Sequence, residues 1–120
     1  MNGDRAKLDA RKERYLRDPL PVRLGNLASN LARIKSTMAK PELGEAAERV
    51  IRESKHLVEW AGKDAELQLQ VEMVDLQRRL ARWQFKWPEI WNDPEKRTNV
   101  AAEAGVWSQK ILERSGLLKR

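Results

Sequence analysis

The sequence predicts an all-α fold, an antiparallel bundle of three to four long helices preceded by a charged helical arm. Three observations carry that expectation. Apolar residues recur at spacings of three and four along most of the chain, and almost no segment alternates with period two. The composition, 41% hydrophobic and 35% charged, suits helices with one dry and one wet face. A chain of 120 residues with five Trp can close one core, burying roughly two-thirds of its unfolded surface.

Residues 4–17 (DRAKLDARKERYLR) read as a charged helix with only Leu8, Tyr15 and Leu16 to anchor it. So short a helix is marginal alone, so it is expected to fray or to be ordered by a partner. Asp18-Pro19-Leu20-Pro21 ends it, because each proline disfavours helix in the residue before it. The division is therefore an arm over 1–18 and a helical domain over 19–120. Leu20, Leu24, Leu27, Leu31, Ile34 and Met38 then form a seam at spacings of four and three, closed by Lys40-Pro41. A third helix starts near Pro41, with Glu42 and Glu45 at its positive end and Ala47, Ile51, Ser54, Val58 and Ala61 as its stripe.

Gly62-Lys63-Asp64 offers a stop, with Gly62 as a C-terminal cap and Asp64 capping the next helix. The apolar phase runs on regardless, and one glycine costs a helix only about 1 kcal/mol. A single helix over 42–87 therefore competes with a break that would give four helices of roughly 30–36 Å. Trp87-Pro88 disrupts the pattern. Asp93-Pro94 begins a last helix lined by Val100, Ala104, Trp107 and Ile111, which Ser115-Gly116 ends.

The segment 64–87 has two apolar faces. Leu69, Met73, Leu76, Leu80, Trp83 and Trp87 form one, while Leu67, Val71, Val74, Ala81 and Phe85 fall opposite. Gln70, Gln77 and Gln84 recur every seven residues on one flank, and Glu72, Asp75, Arg79, Arg82 and Lys86 occupy the other. A helix of this kind is either sandwiched inside its own fold or meets another chain. An interface through Leu67, Val71, Val74, Arg78, Ala81 and Phe85 would make the protein a homo-oligomer, a dimer first, or the partner of another helical protein.

The second helix carries a small-residue strip, Gly25, Ala28, Ser29, Ala32 and Ser36, that suits close packing. Beside it Asn26, Asn30, Arg33 and Thr37 make a polar row, read as solvated surface or as a stripe for a polar ligand.

Charge is uneven. Residues 1–40 hold ten Lys/Arg against four Asp/Glu, residues 41–92 hold eight against ten, and residues 93–120 hold six against four. The arm residues Arg5, Lys7, Arg11, Lys12, Arg14 and Arg17, with Arg78, Arg79 and Arg82 near Trp83 and Trp87, supply the cations and aromatics of a nucleic-acid surface. Structural packing of the two Trp rings competes with that reading.

Catalytic and cofactor chemistry finds no foothold. The absence of Cys removes thiolate catalysis, thiolate metal sites and disulfides. Glu53 and His56 have the Glu-x-x-His spacing of di-iron bundles, but the motif occurs once and His56 is the sole histidine, so a solvated helix face is expected. Arg49 and His56 match a loose spacing found in some helical ribonucleases. No phosphate-binding glycine loop or nucleophile–base pair is present. The expectation is a non-enzymatic interaction or adaptor protein without cofactor or metal. With no apolar run near 18 residues and no signal-like start, no membrane contact and a cytoplasmic location are expected.

Two blocks, residues 20–35 (LPVRLGNLASNLARIK) and residues 100–118 (VAAEAGVWSQKILERSGLL), resemble a family of small uncharacterised helical proteins from cyanobacteria. The likeness covers about a third of the chain. It implies a photosynthetic bacterial cytoplasm and brings no activity or site residues.

Overall fold

The computed structural model describes residues 2–117, and every regular element among them is helical. The helices are α1 (Asn2–Arg17), α2 (Leu20–Met38), α3 (Gly44–Gly62), α4 (Leu67–Phe85), α5 (Trp87–Trp91) and α6 (Pro94–Ser115), with a short 3₁₀ turn at Pro41–Leu43 before α3. Leu118, the end of the second block quoted above, lies outside the described residues.

Packing follows the apolar seams. Leu24, Leu27, Leu31, Ile34 and Met38 of α2 are buried, as are Ala47, Ile51, Ser54, Val58 and Ala61 of α3. Helix α2 is central, with α3 against one side and α6 against the other, and α4 lies chiefly on α3. Helices α4 and α6 touch only at their margins, and α5 bridges the corner between them. The closest helix contacts thus run in the series α6–α2–α3–α4 within an envelope of 40 × 38 × 23 Å, and side-chain ion pairs join its two ends, α4 and α6. Among the described residues, no helix is long and apolar enough to cross a membrane.

The small-residue strip of α2 divides. Ala28 is buried, and its carbonyl accepts a 2.7 Å hydrogen bond from the Ser108 hydroxyl of α6. Ser29, Ala32 and Ser36 remain exposed. On α6, Val100, Ala104 and Ile111 enter the core, while Trp107 is half-buried beneath the Lys110 ammonium, 5.0 Å above its ring.

The arm is docked. Tyr15 belongs to the same buried cluster as α2, α3 and α4, and its hydroxyl donates to the carbonyls of Arg23 (2.8 Å) and Leu57 (3.4 Å). Leu8 packs partly against the core and Leu16 stays exposed.

The chain breaks after Gly62, by a different device from a glycine cap. Gly62 is the last residue of α3 and Lys63 stays right-handed at φ −60° and ψ −35°. Neither half of the expected cap pair forms. Asp64 does not cap α4, whose N-cap residue is Glu66 with no side-chain hydrogen bond. Instead the Asp64 carboxylate takes a 2.8 Å bond from Arg23, a 6% exposed guanidinium that also donates to the carbonyls of Trp60 and Asp18. Arg23 therefore ties the α1–α2 turn to the end of α3, and Ala65 is drawn into the core beside it.

The last helix has the expected ends. Asp93 accepts from the amides of Glu95 (2.9 Å) and Lys96 (3.4 Å), and Gly116 closes α6 at φ 76°. Gly44 answers a different need. A Cβ there would lie 2.8 Å from the Trp91 indole, so only glycine lets that ring cover the start of α3.

Candidate functional site

Helix α4 presents two faces because its apolar residues follow two parallel four-three series. Leu69, Met73, Leu76, Leu80 and Trp83 are buried, with Leu76 and Leu80 wholly inaccessible. Opposite them Leu67, Val71, Val74 and Phe85 are 76%, 56%, 50% and 84% exposed, and Arg78 and Ala81 are exposed between them. Burying a large aliphatic or aromatic side chain is worth about 1.5–3 kcal/mol, so four left in water on one helix are a considerable unused surface.

Polar contacts on both flanks hold the rotation of α4. Toward α3, the Lys55 ammonium donates to Gln84 at 2.7 Å, and in the turn before α4 the Ala65 carbonyl accepts from the Gln70 amide at 2.8 Å. Toward α6, Glu72 accepts a two-pronged contact from Arg114, and Arg79 pairs with Glu103. The bond to Glu72 pushes the Arg114 guanidinium up from its ordinary value. Glu72 is thus a buried ion-pair member rather than part of a wet flank. The outward face is fixed by these bonds, because turning α4 would break both sets.

That face is a ridge between two grooves. One, of about 510 Å³, runs along α3 and includes Val58, Gly62, Met73, Val74, Arg78 and Ala81. The other, of about 870 Å³, faces α6 and holds Asp75, Arg78, Arg82, Phe85, Lys86 and Trp107. Trp83 and Trp87 are buried, so Phe85 and the half-buried Trp107 are the rings left within reach of the α4 cations.

The basic residues that sequence reasoning grouped do not converge. Arg5, Lys7, Lys12, Arg14 and Arg17 are exposed on α1, and Arg11 is spent on Glu53 at 2.9 Å. Arg11 and Arg14 line a third groove, of about 410 Å³, between α1, α2 and α3, whereas Arg78, Arg79 and Arg82 line the α6-side groove.

The polar row of α2 divides: Asn26 and Arg33 stay exposed as solvated surface, while Asn30 is buried at the floor of that third groove. Asn26, Asn30 and Arg33 line it, Asn30 is buried, and its amide donates to Glu53 at 3.3 Å. Thr37 is excluded, since its hydroxyl donates back to the carbonyls of Arg33 and Ile34. Glu53 and His56 are both half-buried, part solvated and part covered. Glu53 lies between Arg11 and Asn30, while His56 stacks on Trp60 with centroids 5.5 Å apart. Arg49 lines yet another groove, beside Gly44 and Trp91. Among the described residues, no three His, Asp or Glu side chains cluster as metal ligands.

Sequence reasoning missed Arg23 and the Glu72–Arg114 pair. The one available signal was phase, since Arg23 falls on the leucine side of α2. Their partners stand 41 and 42 residues away, beyond any local pattern.

No protein-family model, curated protein or solved structure matches the chain.

Proposed function

We propose that the protein is a non-enzymatic interaction module, a small helical bundle that self-associates as a dimer through the outer face of α4. The observation that carries this is the exposure of Leu67, Val71, Val74 and Phe85 along one helix held from both sides. Their spacing continues through Arg78 and Ala81 as four, three, four, three, four, the rhythm of a helix-pairing seam. A second copy offers the same seam and so completes an isologous contact. Sedimentation equilibrium tests this: the wild type is a dimer at micromolar concentration, and Val74→Asp is a monomer with unchanged helix content. A wild type that stays monomeric across the micromolar range overturns the reading.

One observation favours a second function. Phe85, the most exposed of the large apolar residues among those described, shares its groove with Arg78, Arg82, Lys86 and Trp107, a stacking ring among cations. A single-stranded nucleic acid would then bind with an affinity falling steeply as salt rises. Retardation of a labelled oligonucleotide at about 50 mM salt, lost in Phe85→Ala, is expected on this reading. No retardation removes it.

A further inference from the structure

We infer that two α4 helices pair antiparallel through their outer faces, about a two-fold axis at the level of position 76, with Arg78 of each copy answering Asp75 of the other. This rests on the self-association proposed above and adds its orientation and register.

The seam itself selects the register. Its six positions, 67, 71, 74, 78, 81 and 85, are symmetric about position 76. Antiparallel pairing there sets Leu67 against the partner's Phe85, Val71 against the partner's Ala81, and Val74 against the partner's Arg78. All six residues of each copy are then covered. Sliding one helix by a heptad leaves two of the six without an opposite number. Parallel pairing in register sets Arg78 against Arg78, a like-charge contact inside an apolar seam.

Charge supports the same choice. Among the described residues, Glu72 and Arg79 of α4 have ion-pair partners in their own chain, while Asp75, Arg78 and Arg82 have none, and of these Arg78 alone lies on the seam. Arg78 is the one charged member of the seam, and leaving it unanswered in a covered interface would be costly. In the antiparallel register the partner's Asp75 adjoins the partner's Val74, the residue Arg78 faces. The two Asp75 carboxylates lie near the axis, each beside a guanidinium from the other copy. On the other flank Gln70 meets the partner's Gln84 and Gln77 meets its own counterpart, so that the seven-residue glutamine row introduces no charge conflict.

Two measurements test the arrangement on the full chain. The protein has no cysteine, so single introduced thiols report proximity without background. Leu67→Cys mixed with Phe85→Cys is expected to give a disulfide-linked heterodimer on mild oxidation, and neither variant alone should cross-link. Cross-linking of Leu67→Cys to itself would show parallel pairing and overturn the inference. The second measurement is a charge exchange. Asp75→Arg and Arg78→Asp should each weaken the dimer by about tenfold, and the double variant should recover most of that loss. A dimeric wild type whose double variant is no tighter than the singles overturns the register while leaving self-association intact. A monomeric wild type defeats the underlying proposal instead.

Discussion

Tyr15 shows how one side chain turns a marginal helix into part of a core. Its ring meets Trp60 at 5.7 Å, and its hydroxyl bonds two carbonyls on different helices. Burial pushes its phenol up from the ordinary value, the nearby Arg23 charge opposes this, and Asp18 adds to it. The folded protein thus holds the proton more tightly than the unfolded chain. That stability is fully present below the unfolded value of about 10 and is lost as pH rises beyond it. Tyr15→Phe should therefore be less stable at neutral pH by about 1 kcal/mol, from the lost hydrogen bonds. Urea titrations at neutral pH and above about pH 10 should show the gap narrowing, because only the wild type has a phenol to ionise. A gap that stays constant would show that the hydroxyl is not protected. Tyr15 was recognisable as an anchor from its place among charged residues, but its bonding to Arg23 and Leu57 was not. Arg23 is the sharper case. Helical phase puts it on the inner side, and nothing local says that Asp18, Trp60 and Asp64 will satisfy it.

Elements with strong local chemistry were legible to within a residue or two. The leucine seam of α2 and the Asp93 and Gly116 ends of α6 needed no information from elsewhere in the chain. Asp93→Ala should cost about 1 kcal/mol through the amides it leaves unpaired, measured as a lower urea midpoint with an unchanged slope. A loss below a few tenths would mean that water caps α6 equally well. Elements whose limits depend on distant contacts were not legible. The break between α3 and α4 lies where residues 62–64 suggested, but tertiary bonds to Arg23 hold it while Gly62 remains helical. The five-residue α5 and the 3₁₀ turn before α3 are too short for periodicity to register. They belong to the packing of Trp91 over Gly44.

At the scale of the whole molecule, the order of packing explains why α4 has surface to spare. A helix with two apolar stripes placed at the centre of the series would have both covered. Helix α2 holds that position, and α4 comes last, on α3. Periodicity revealed the two stripes of α4 but gave no order of neighbours, so it left both a sandwiched and a partnered helix open. The candidate face was therefore readable residue by residue, while its exposure was not. The arm and α4 cations line different grooves for the same reason, since sequence proximity to aromatics says nothing about which groove a charge will line.

The Trp87–Trp91 stack, at 5.2 Å and 25° with Arg97 over the second ring, joins α5 to the starts of α3 and α6. Two indoles held this close couple their electronic transitions, so the folded chain should carry an exciton signature in circular dichroism. Neither ring belongs to the outer stripe of α4. If the dimer proposed above forms, its separation would therefore keep the optical couplet, whereas a chain that loses its tertiary packing would not. The stack would then tell dissociation of that dimer from unfolding.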